Sequence, residues 1–301
     1  MITINMDKNT LYGILFSGSG SLWWGIIGVL YFKSVSFVDP IELTVHRTIW
    51  TAFLLLFTIS AYSKWNEVFL VLKNIKKTLI LFICGILIVT NWFTWIFAVV
   101  TNKLVDASFG YYIFPILSVF FGIVFLKEPH NRKKLLAVAL VVVAVIYLFF
   151  NFESIPWVGL IVALTWSTYN LIRKKIKVQA DLGLFIESAF MTPFAIIIFY
   201  VLTRDGNTFF TPDDLRISFW LFLAGPMTLI PLFLYLKGVE LSGLGASGMI
   251  FFLAPTGQFL LGTFYFNEYL DINKLISFVI IWIAVAIYLH DLTNNKEVKL
   301  G

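Results

Sequence analysis

Residues 104–148 read LVDASFGYYIFPILSVFFGIVFLKEPHNRKKLLAVALVVVAVIYL, and the same pattern returns 140 positions later in residues 244–288 as LGASGMIFFLAPTGQFLLGTFYFNEYLDINKLISFVIIWIAVAIY. Identities at this offset include Leu104 with Leu244, Pro115 with Pro255, Gly122 with Gly262, Glu128 with Glu268, Lys134 with Lys274, Leu135 with Leu275 and Ala144 with Ala284. Each copy is predicted to form two helices joined by a turn, with a proline inside the first helix. Such a duplication indicates two structurally equivalent halves.

The composition is that of a membrane protein. Of the 301 residues, 59% are hydrophobic and 13% are charged, whereas soluble domains are nearer half apolar and a quarter charged. Ten apolar stretches can be identified, most of roughly 18 to 24 residues, which is enough for a helix to cross a hydrocarbon core of about 30 Å. The chain is therefore predicted to be an all-α membrane protein with ten transmembrane helices. The first ten residues show no signal-peptide pattern, so the first span is expected to be retained.

Basic residues are distributed unevenly over the loops between these stretches. If the N-terminus is cytoplasmic, 16 of the 22 lysines and arginines face the cytoplasm, five face the other side, and Arg47 lies within a span. Cytoplasmic loops of membrane proteins carry such an excess. The net charge of +5 therefore indicates orientation rather than a nucleic-acid partner, and both termini are expected in the cytoplasm.

Two halves of five spans each, residues 1–152 and 153–301, follow from the duplication. Because five is odd, the second half must enter the membrane from the opposite face, so the repeats are predicted to be inverted. Inverted repeats are a recurring plan of secondary transporters, which bind their solute near the midplane between the halves. The first spans of the two halves also align, with Leu22, Trp24 and Lys33 matching Leu164, Trp166 and Lys175.

Pro115 and Pro255 are candidate hinges of the predicted transporter. A proline inside a helix removes a backbone hydrogen bond and tends to kink the helix. Since kinked membrane helices are also common as static structure, the hinge and the static kink remain equal alternatives.

Span two, roughly residues 40–61, carries Glu42, His46 and Arg47. A charge within the bilayer is costly, so such residues usually face a cavity or a partner. Arg47 is a candidate for binding an anionic group and His46 for an adjacent hydrogen-bonding or proton-transfer role, while Glu42 and His46 are candidate proton carriers because histidine titrates near neutrality. A purely structural cluster, with Arg47 paired to Glu42 or to carbonyl groups, is the alternative.

An aromatic and polar set in spans three and four completes the predicted substrate site: Asn91, Trp92, Trp95, Tyr111 and Tyr112. Aromatic faces attract cations by about 0.5 to 2 kcal/mol, although packing is the commoner role of aromatic residues in a chain with 18% of them. Glu187, near the start of span seven, is expected near the cytoplasmic rim as a helix cap. The basic run from Arg173 to Lys177 is expected to be a cytoplasmic anchor.

Enzyme signatures are missing from the sequence. It has no His-Glu-x-x-His, no Gly-x-Ser-x-Gly, no Gly-x-x-x-x-Gly-Lys and no Cys/His metal set, so neither a catalytic residue, a metal nor a cofactor is predicted. The expected function is a secondary transporter of a small polar or zwitterionic organic metabolite or drug-like solute, driven without ATP. An intramembrane enzyme acting on a lipid-linked substrate and a passive pore are the alternatives. Expected partners are the solute and membrane lipids; the oligomeric state is open and a monomer is compatible with the sequence.

Several segments together resemble the RarD-type permeases of the EamA family, within the drug/metabolite transporter superfamily. They are His46–Trp50 (HRTIW), Asn91-Trp92, Ala107–Tyr112 (ASFGYY) with Pro115, Arg173–Ile176 (RKKI), Ile186-Glu187 and Ile281–Ile287 (IWIAVAI). The resemblance covers nearly the whole chain and implies ten helices, two EamA repeats and transport of small organic molecules across the bacterial inner membrane. The chain departs from the pattern at Phe251, where a polar residue is expected, and at Lys237, where a small or uncharged one is.

Overall fold

The computed structural model describes residues 7–101, 104–150, 157–265 and 272–294, and within these ranges it contains helices and no strand. In chain order the elements are α1 (Lys8–Leu22), a π-helical turn (Trp23–Gly28), α2 (Val29–Ser34), α3 (Pro40–Ala61), α4 (Trp65–Leu72), α5 (Ile75–Val100), α6 (Leu104–Leu126), α7 (Arg132–Phe149), α8 (Trp157–Ile176), α9 (Ala180–Arg204), α10 (Leu215–Ser242), α11 (Leu244–Ile250), α12 (Leu253–Phe264) and α13 (Ile272–Asn294).

The all-α membrane architecture predicted from the sequence is confirmed. Seven stretches of the described chain are long and apolar enough to cross a membrane, among them the continuous run Lys8–Ser34, and a shorter apolar helix covers Gly110–Leu126. The predicted spans four, five and six are also helical, as α6, α7 and α8. Ten crossings and the boundary between residues 152 and 153 remain predictions.

The helices run between two ends of one bundle. At the first, here called the Lys64 end, Lys64 after α3 pairs with Asp181 in the first turn of α9. At the second, the Glu42 end, Glu42 in the first turn of α3 accepts a hydrogen bond from the hydroxyl of Thr208 in the α9–α10 loop. Since α9 runs from Ala180 to Arg204, Arg204 at its last position lies about 35 Å from Asp181 along the helix axis.

Helix starts follow ordinary capping chemistry. The Asp39 carboxylate accepts a hydrogen bond from the Ile41 N–H, and Pro40 occupies the first position of α3, where a missing N–H costs nothing. Asn131 caps α7 by accepting from the Lys134 N–H. At α11, whose N-terminus lacks a cap of its own, the Glu128 carboxylate from the preceding half accepts from the N–H groups of Leu244 and Gly245.

Helix packing brings the two sequence halves together along their whole length. α1 packs along α10 and α5 packs along α8; α6 packs against α8 and α11, while α1 and its π-helical turn pack against α11 and α12. α3 lies against α9, and α7 against α13. Close approach depends on small residues: a Cβ on Gly238 would lie 2.0 Å from the Ser17 Oγ, and one on Gly25 would lie 2.5 Å from the Ala254 carbonyl oxygen.

Candidate functional site

A cavity lies inside the bundle, between the π-helical turn, α2, α3, α5, α6, α8 and the α11–α12 junction. The cavity has a volume of about 40 Å³. The cavity is therefore a narrow slot. Its lining consists of Trp24, Gly28, Phe32, Arg47, Asn91, Trp92, Trp95, Tyr111, Trp166, Phe251 and Gln258.

Arg47 provides the charge of this slot. It is 4% exposed, and its guanidinium carbon lies 4.9 Å from the ring centroid of Phe32 and 4.8 Å from that of Trp92. Its Nε donates a hydrogen bond of 2.9 Å to the buried Thr228 hydroxyl on α10. Two rings and one hydroxyl thus fix the plane of the guanidinium, and its two terminal nitrogens donate no hydrogen bond to a described residue.

Four of the aromatic rings that line the slot form two pairs. Trp24 of the π-helical turn meets Trp166 of α8 edge to face, with ring centroids 5.6 Å apart. Tyr111 of α6 and Phe251 of the α11–α12 junction lie 5.5 Å apart. Each pair joins residues that align between the two sequence halves, at offsets of 142 and 140 positions. The middle of the slot is therefore built by equivalent positions of the predicted repeats.

Polar groups in the wall are few: besides Arg47, they are the amides of Asn91 and Gln258, the Tyr111 hydroxyl and the tryptophan indole N–H groups. The Asn91 side-chain nitrogen donates to the Val162 carbonyl (3.1 Å) and to the Thr165 hydroxyl (3.0 Å) of α8. The indole N–H groups of Trp95 and Trp166 are buried and donate to no described residue. An unpaired buried donor costs free energy, and an acceptor that reached either group would remove this cost.

Five of the seven side chains predicted to bind substrate line the slot: Arg47, Asn91, Trp92, Trp95 and Tyr111. Two lie elsewhere. His46 packs against Phe199 and Phe210 and accepts a hydrogen bond from the Trp50 indole N–H, because adjacent residues point about 100° apart on a helix.

Tyr112 is turned away from the slot for the same reason. It packs against Phe278 of α13, with ring centroids 5.5 Å apart, in a second apolar core between α6, α7 and α13. Tyr111, one residue earlier, faces the slot.

Glu42, predicted as a proton carrier with His46, is fully buried beside the α9–α10 loop. One carboxylate oxygen accepts hydrogen bonds from the Thr208 hydroxyl (2.6 Å) and the Phe209 N–H (2.8 Å), and lies 3.7 Å from the His46 Nε2. These contacts fasten the loop to α3. Neither Glu42 nor His46 reaches the slot, and their role in proton transfer remains a prediction.

The two candidate hinge prolines have different surroundings. α6 is continuous through Pro115, whereas the chain turns at Phe251 and Phe252 just ahead of Pro255. A proline ring displaces the carbonyl group four residues earlier, here that of Phe251. This carbonyl accepts instead from the Ala254 N–H, at 2.9 Å. The break exposes the Phe251 ring to the slot.

A buried ion pair between α8 and α9 corrects the two interfacial roles expected for Arg173 and Glu187. Arg173 is 5% and Glu187 1% exposed, and the Arg173 Nε lies 3.3 Å from a Glu187 carboxylate oxygen. The Tyr169 hydroxyl donates to the other oxygen at 2.9 Å. Both groups were expected at the surface because each lies near a helix end. The sequence does not show that α8 and α9 bring these ends together.

Six lining residues were not predicted as site residues: Trp24, Gly28, Phe32, Trp166, Phe251 and Gln258. Signals were present for three of them. Trp24 and Trp166 align between the halves, and Gln258 is an uncharged polar residue inside an apolar span. Phe32 carries no such signal, because only its distance from Arg47 distinguishes it from packing phenylalanines.

Metal-binding geometry is absent from the described part of the chain, where no group of three or more His, Cys, Asp or Glu side chains could hold an ion. The slot itself is lined by carbon-rich rings, amides and a guanidinium, which are poor metal ligands. The arrangement is suited to binding an organic molecule.

Comparison with known proteins identifies relatives over nearly the full length. Residues 11–150 match the EamA-like transporter family. The chain is 32% identical to Protein RarD of Salmonella typhi over 97% of this chain and 99% of the relative. It is 34% identical to an uncharacterized transporter of Pseudomonas aeruginosa, over 97% and 96%. It is 32% identical to the uncharacterized transporter YojE of Bacillus subtilis, over 93% and 94%.

A solved crystal structure has the same fold. It aligns with a TM-score of 0.67 over 91% of this chain and 96% of the other chain, at 17% sequence identity. Helical architecture, family match and full-length relatives agree. The chain belongs to the EamA-like transporter family, among its RarD-type permeases, and is a membrane transporter.

Proposed function

We propose that the protein is a secondary transporter that carries a small organic solute across the bacterial inner membrane by alternating access, with the Arg47 slot as its binding site. The observation that carries this proposal is a desolvated guanidinium with free terminal nitrogens inside the bundle. A charge is retained in such surroundings when it has a function or a partner. Here the described residues give it one hydroxyl and two rings, which leaves room for a ligand.

The packing pattern supports two inverted halves. Suppose that the helices of the two halves correspond in chain order, so that α1, α3, α5, α6 and α7 match α8, α9, α10, the α11–α12 pair and α13. Exchanging the halves then converts the contact between α1 and α10 into the contact between α8 and α5. It likewise converts the α6–α8 contact into the contact of α11 and α12 with α1 and its π-helical turn. The α3–α9 and α7–α13 contacts are each converted into themselves. This is the behaviour of two units related by a two-fold axis in the membrane plane.

The slot lies nearer the Glu42 end. Arg47 is seven residues, about 10 Å, from the start of α3 at that end. On the other side of the slot the rings of Phe114, Tyr169 and Tyr235 are fully buried, followed by the Arg173–Glu187 pair. Because the Lys64 end carries most basic loops, we assign it to the cytoplasm, and this conformation then has its site closed to the cytoplasm.

Closure at the Lys64 end also distinguishes a transporter from a passive pore. A pore requires a continuous polar path, whereas the described residues beneath the slot pack ring against ring, with Trp166 and Tyr169 stacked at 5.6 Å. Release of a solute to that side then requires α1, α8, α10 and α11 to separate. Glycine at positions 25, 238 and 257, and the broken helix at Phe251, lie along these contacts.

Alternation is tested by labelling in a Cys84→Ser background. We expect Q258C, in the slot, to react with a membrane-impermeant maleimide from the Glu42 end. S247C, buried at a contact nearer the Lys64 end, should react from the cytoplasmic end, and each reaction should slow when the other end is held closed. Simultaneous, independent reaction of both sites would identify a pore, and no reaction of S247C under any condition would contradict alternating access.

A further inference from the structure

We infer that the solute is an organic anion, a carboxylate attached to a flat apolar body, rather than a zwitterion of the amino-acid type. This inference rests on the proposed function of the Arg47 slot and specifies its substrate class. It departs from the broader solute class expected from the sequence.

Charge is the first ground. Of the described side chains that line the slot, Arg47 is the one that carries a charge, and none is a carboxylate. The nearby Glu42 carboxylate is committed to Thr208 and Phe209, and Glu187 to Arg173 and Tyr169. A zwitterion would therefore bring an ammonium group that finds ring faces but no acidic partner among the described lining residues.

Hydrogen-bonding direction is the second ground. Among the described residues, the two terminal nitrogens of Arg47 and the indole N–H groups of Trp95 and Trp166 find no acceptor. A guanidinium fixed in one plane matches the two oxygens of a carboxylate. The fixed plane results from the rings of Phe32 and Trp92, which lie within 5 Å of its carbon.

Shape is the third ground. Beyond Arg47 the slot is walled by Trp24, Tyr111, Trp166 and Phe251 and has little room for solvent. Planar rings bind between aromatic side chains in offset or edge-to-face contact. Phe251 adds a further apolar ring to this wall, which favours an apolar body on the solute.

The inference is tested with four probes that share one benzyl group and differ in charge: phenylacetate, phenylacetamide, phenylalanine and phenethylamine. Affinity is measured by calorimetry on the purified full-length protein at pH 7.5. We expect phenylacetate to bind at least tenfold more tightly than each of the other three. Arg47→Met should abolish the preference, whereas Arg204→Met, a control at an exposed position of α9, should preserve it.

Phenylalanine or phenethylamine binding as tightly as phenylacetate would overturn the inference, since the slot would then recognise an ammonium group. Equal binding of phenylacetamide, or an unchanged preference in Arg47→Met, would overturn it as well, and so would failure of all four probes. The labelling of Q258C and S247C separates these results from failure of the proposed function. Alternating labelling of Q258C and S247C without phenylacetate binding would refute the inferred organic anion alone. Absence of both alternating labelling and phenylacetate binding would refute the Arg47 slot as the transport site.

Discussion

Trp24 and Trp166 meet edge to face at 5.6 Å, although 142 positions separate them in the chain and each occupies the same place in its half of the sequence. Tyr111 and Phe251 form a second such pair. Equivalent residues meet when two copies of a unit face each other across a symmetry axis. The slot beside these rings therefore belongs to neither half alone, and changes in either half should affect binding.

Arg47→Ala is expected to reduce solute uptake by about 10- to 100-fold. A hydrogen bond to a charged group contributes about 1.5–3 kcal/mol, and about 1.4 kcal/mol corresponds to a factor of ten. Uptake is measured in proteoliposomes at equal protein content, and a melting curve checks folding. Arg47→Lys, which keeps the charge but loses the planar contact with Phe32 and Trp92, should retain an intermediate activity. Uptake unchanged in Arg47→Ala would remove this residue from the site.

Ser17 and Ser247 provide a lock for the Lys64 end. The Ser17 hydroxyl donates to the Ser247 hydroxyl at 2.8 Å, between α1 and α11, a separation close enough for a disulfide after modest adjustment. In a Cys84→Ser background, oxidation of S17C/S247C should stop uptake and a reductant should restore it. The two single variants serve as controls. Full uptake with the disulfide formed would show that these helices need not separate.

Lys64 and Arg204 should be exposed on opposite faces of the membrane. Lys64 pairs with Asp181 at one end of α9 and Arg204 ends the same helix about 35 Å away. In the Cys84→Ser background, K64C should react with an impermeant reagent only from the cytoplasmic side and R204C only from the other side. Labelling of both from one side would refute the inverted topology.

The Lys64–Asp181 ion pair should contribute to the free energy of unfolding at neutral pH and lose this contribution at high pH. The hydrogen bond that the Lys64 ammonium donates to the Asp181 carboxylate raises the pKa of Lys64 above its ordinary value of 10.5. A raised folded-state pKa stabilises the fold below the unfolded pKa, and this contribution is lost as the pH rises through the folded pKa. Asp181→Asn should therefore lower the free energy of unfolding at pH 7.5 by about 1 kcal/mol or less for a partly exposed pair, and the melting temperature with it.

The same comparison repeated at increasing pH should show the two melting temperatures converging above pH 10.5. Glu67→Gln, which removes a weaker neighbouring charge, is the control and should have a smaller effect at pH 7.5. A difference that grows with pH would contradict the assigned ion pair.

Glu187→Gln should destabilise the protein by about 3 kcal/mol or more, because it leaves the Arg173 charge buried without its partner. Replacing the whole cluster, as Y169F/R173M/E187M, should recover most of the lost stability, since apolar groups of similar size need no partner. The measurement is the melting temperature of the four-member series formed with Arg173→Met. Equal stability of wild type and Glu187→Gln would mean that Arg173 is satisfied by the Gln179 and Ala180 carbonyls alone.

Much of the fold could be predicted from the sequence because a membrane restricts the backbone conformations that a spanning segment can adopt. Every segment interpreted as a span is helical in the described chain, apart from the turn at Phe251 and Phe252, since a backbone in hydrocarbon must satisfy its own hydrogen bonds. The site followed in part, because intramembrane polar residues such as Arg47 and Asn91 can be recognised one at a time. The residues that surround them in space cannot be recognised in this way. Tyr111 and Tyr112 are adjacent tyrosines in the sequence, but in the packed structure Tyr111 faces the slot and Tyr112 faces α13.

The sequence by itself determined that this is an all-α membrane protein of the RarD type with an internal duplication, because hydrophobic length and repeated residues are properties of the chain alone. Tertiary structure decided which side chains share a cavity, that Arg173 and Glu187 neutralise each other away from the surface, and that Phe32, Trp24 and Trp166 line the slot beside Arg47. The physical reason is distance: charge, hydrogen bonding and ring contact act over a few ångströms, and residues more than a hundred positions apart come that close only when the helices pack.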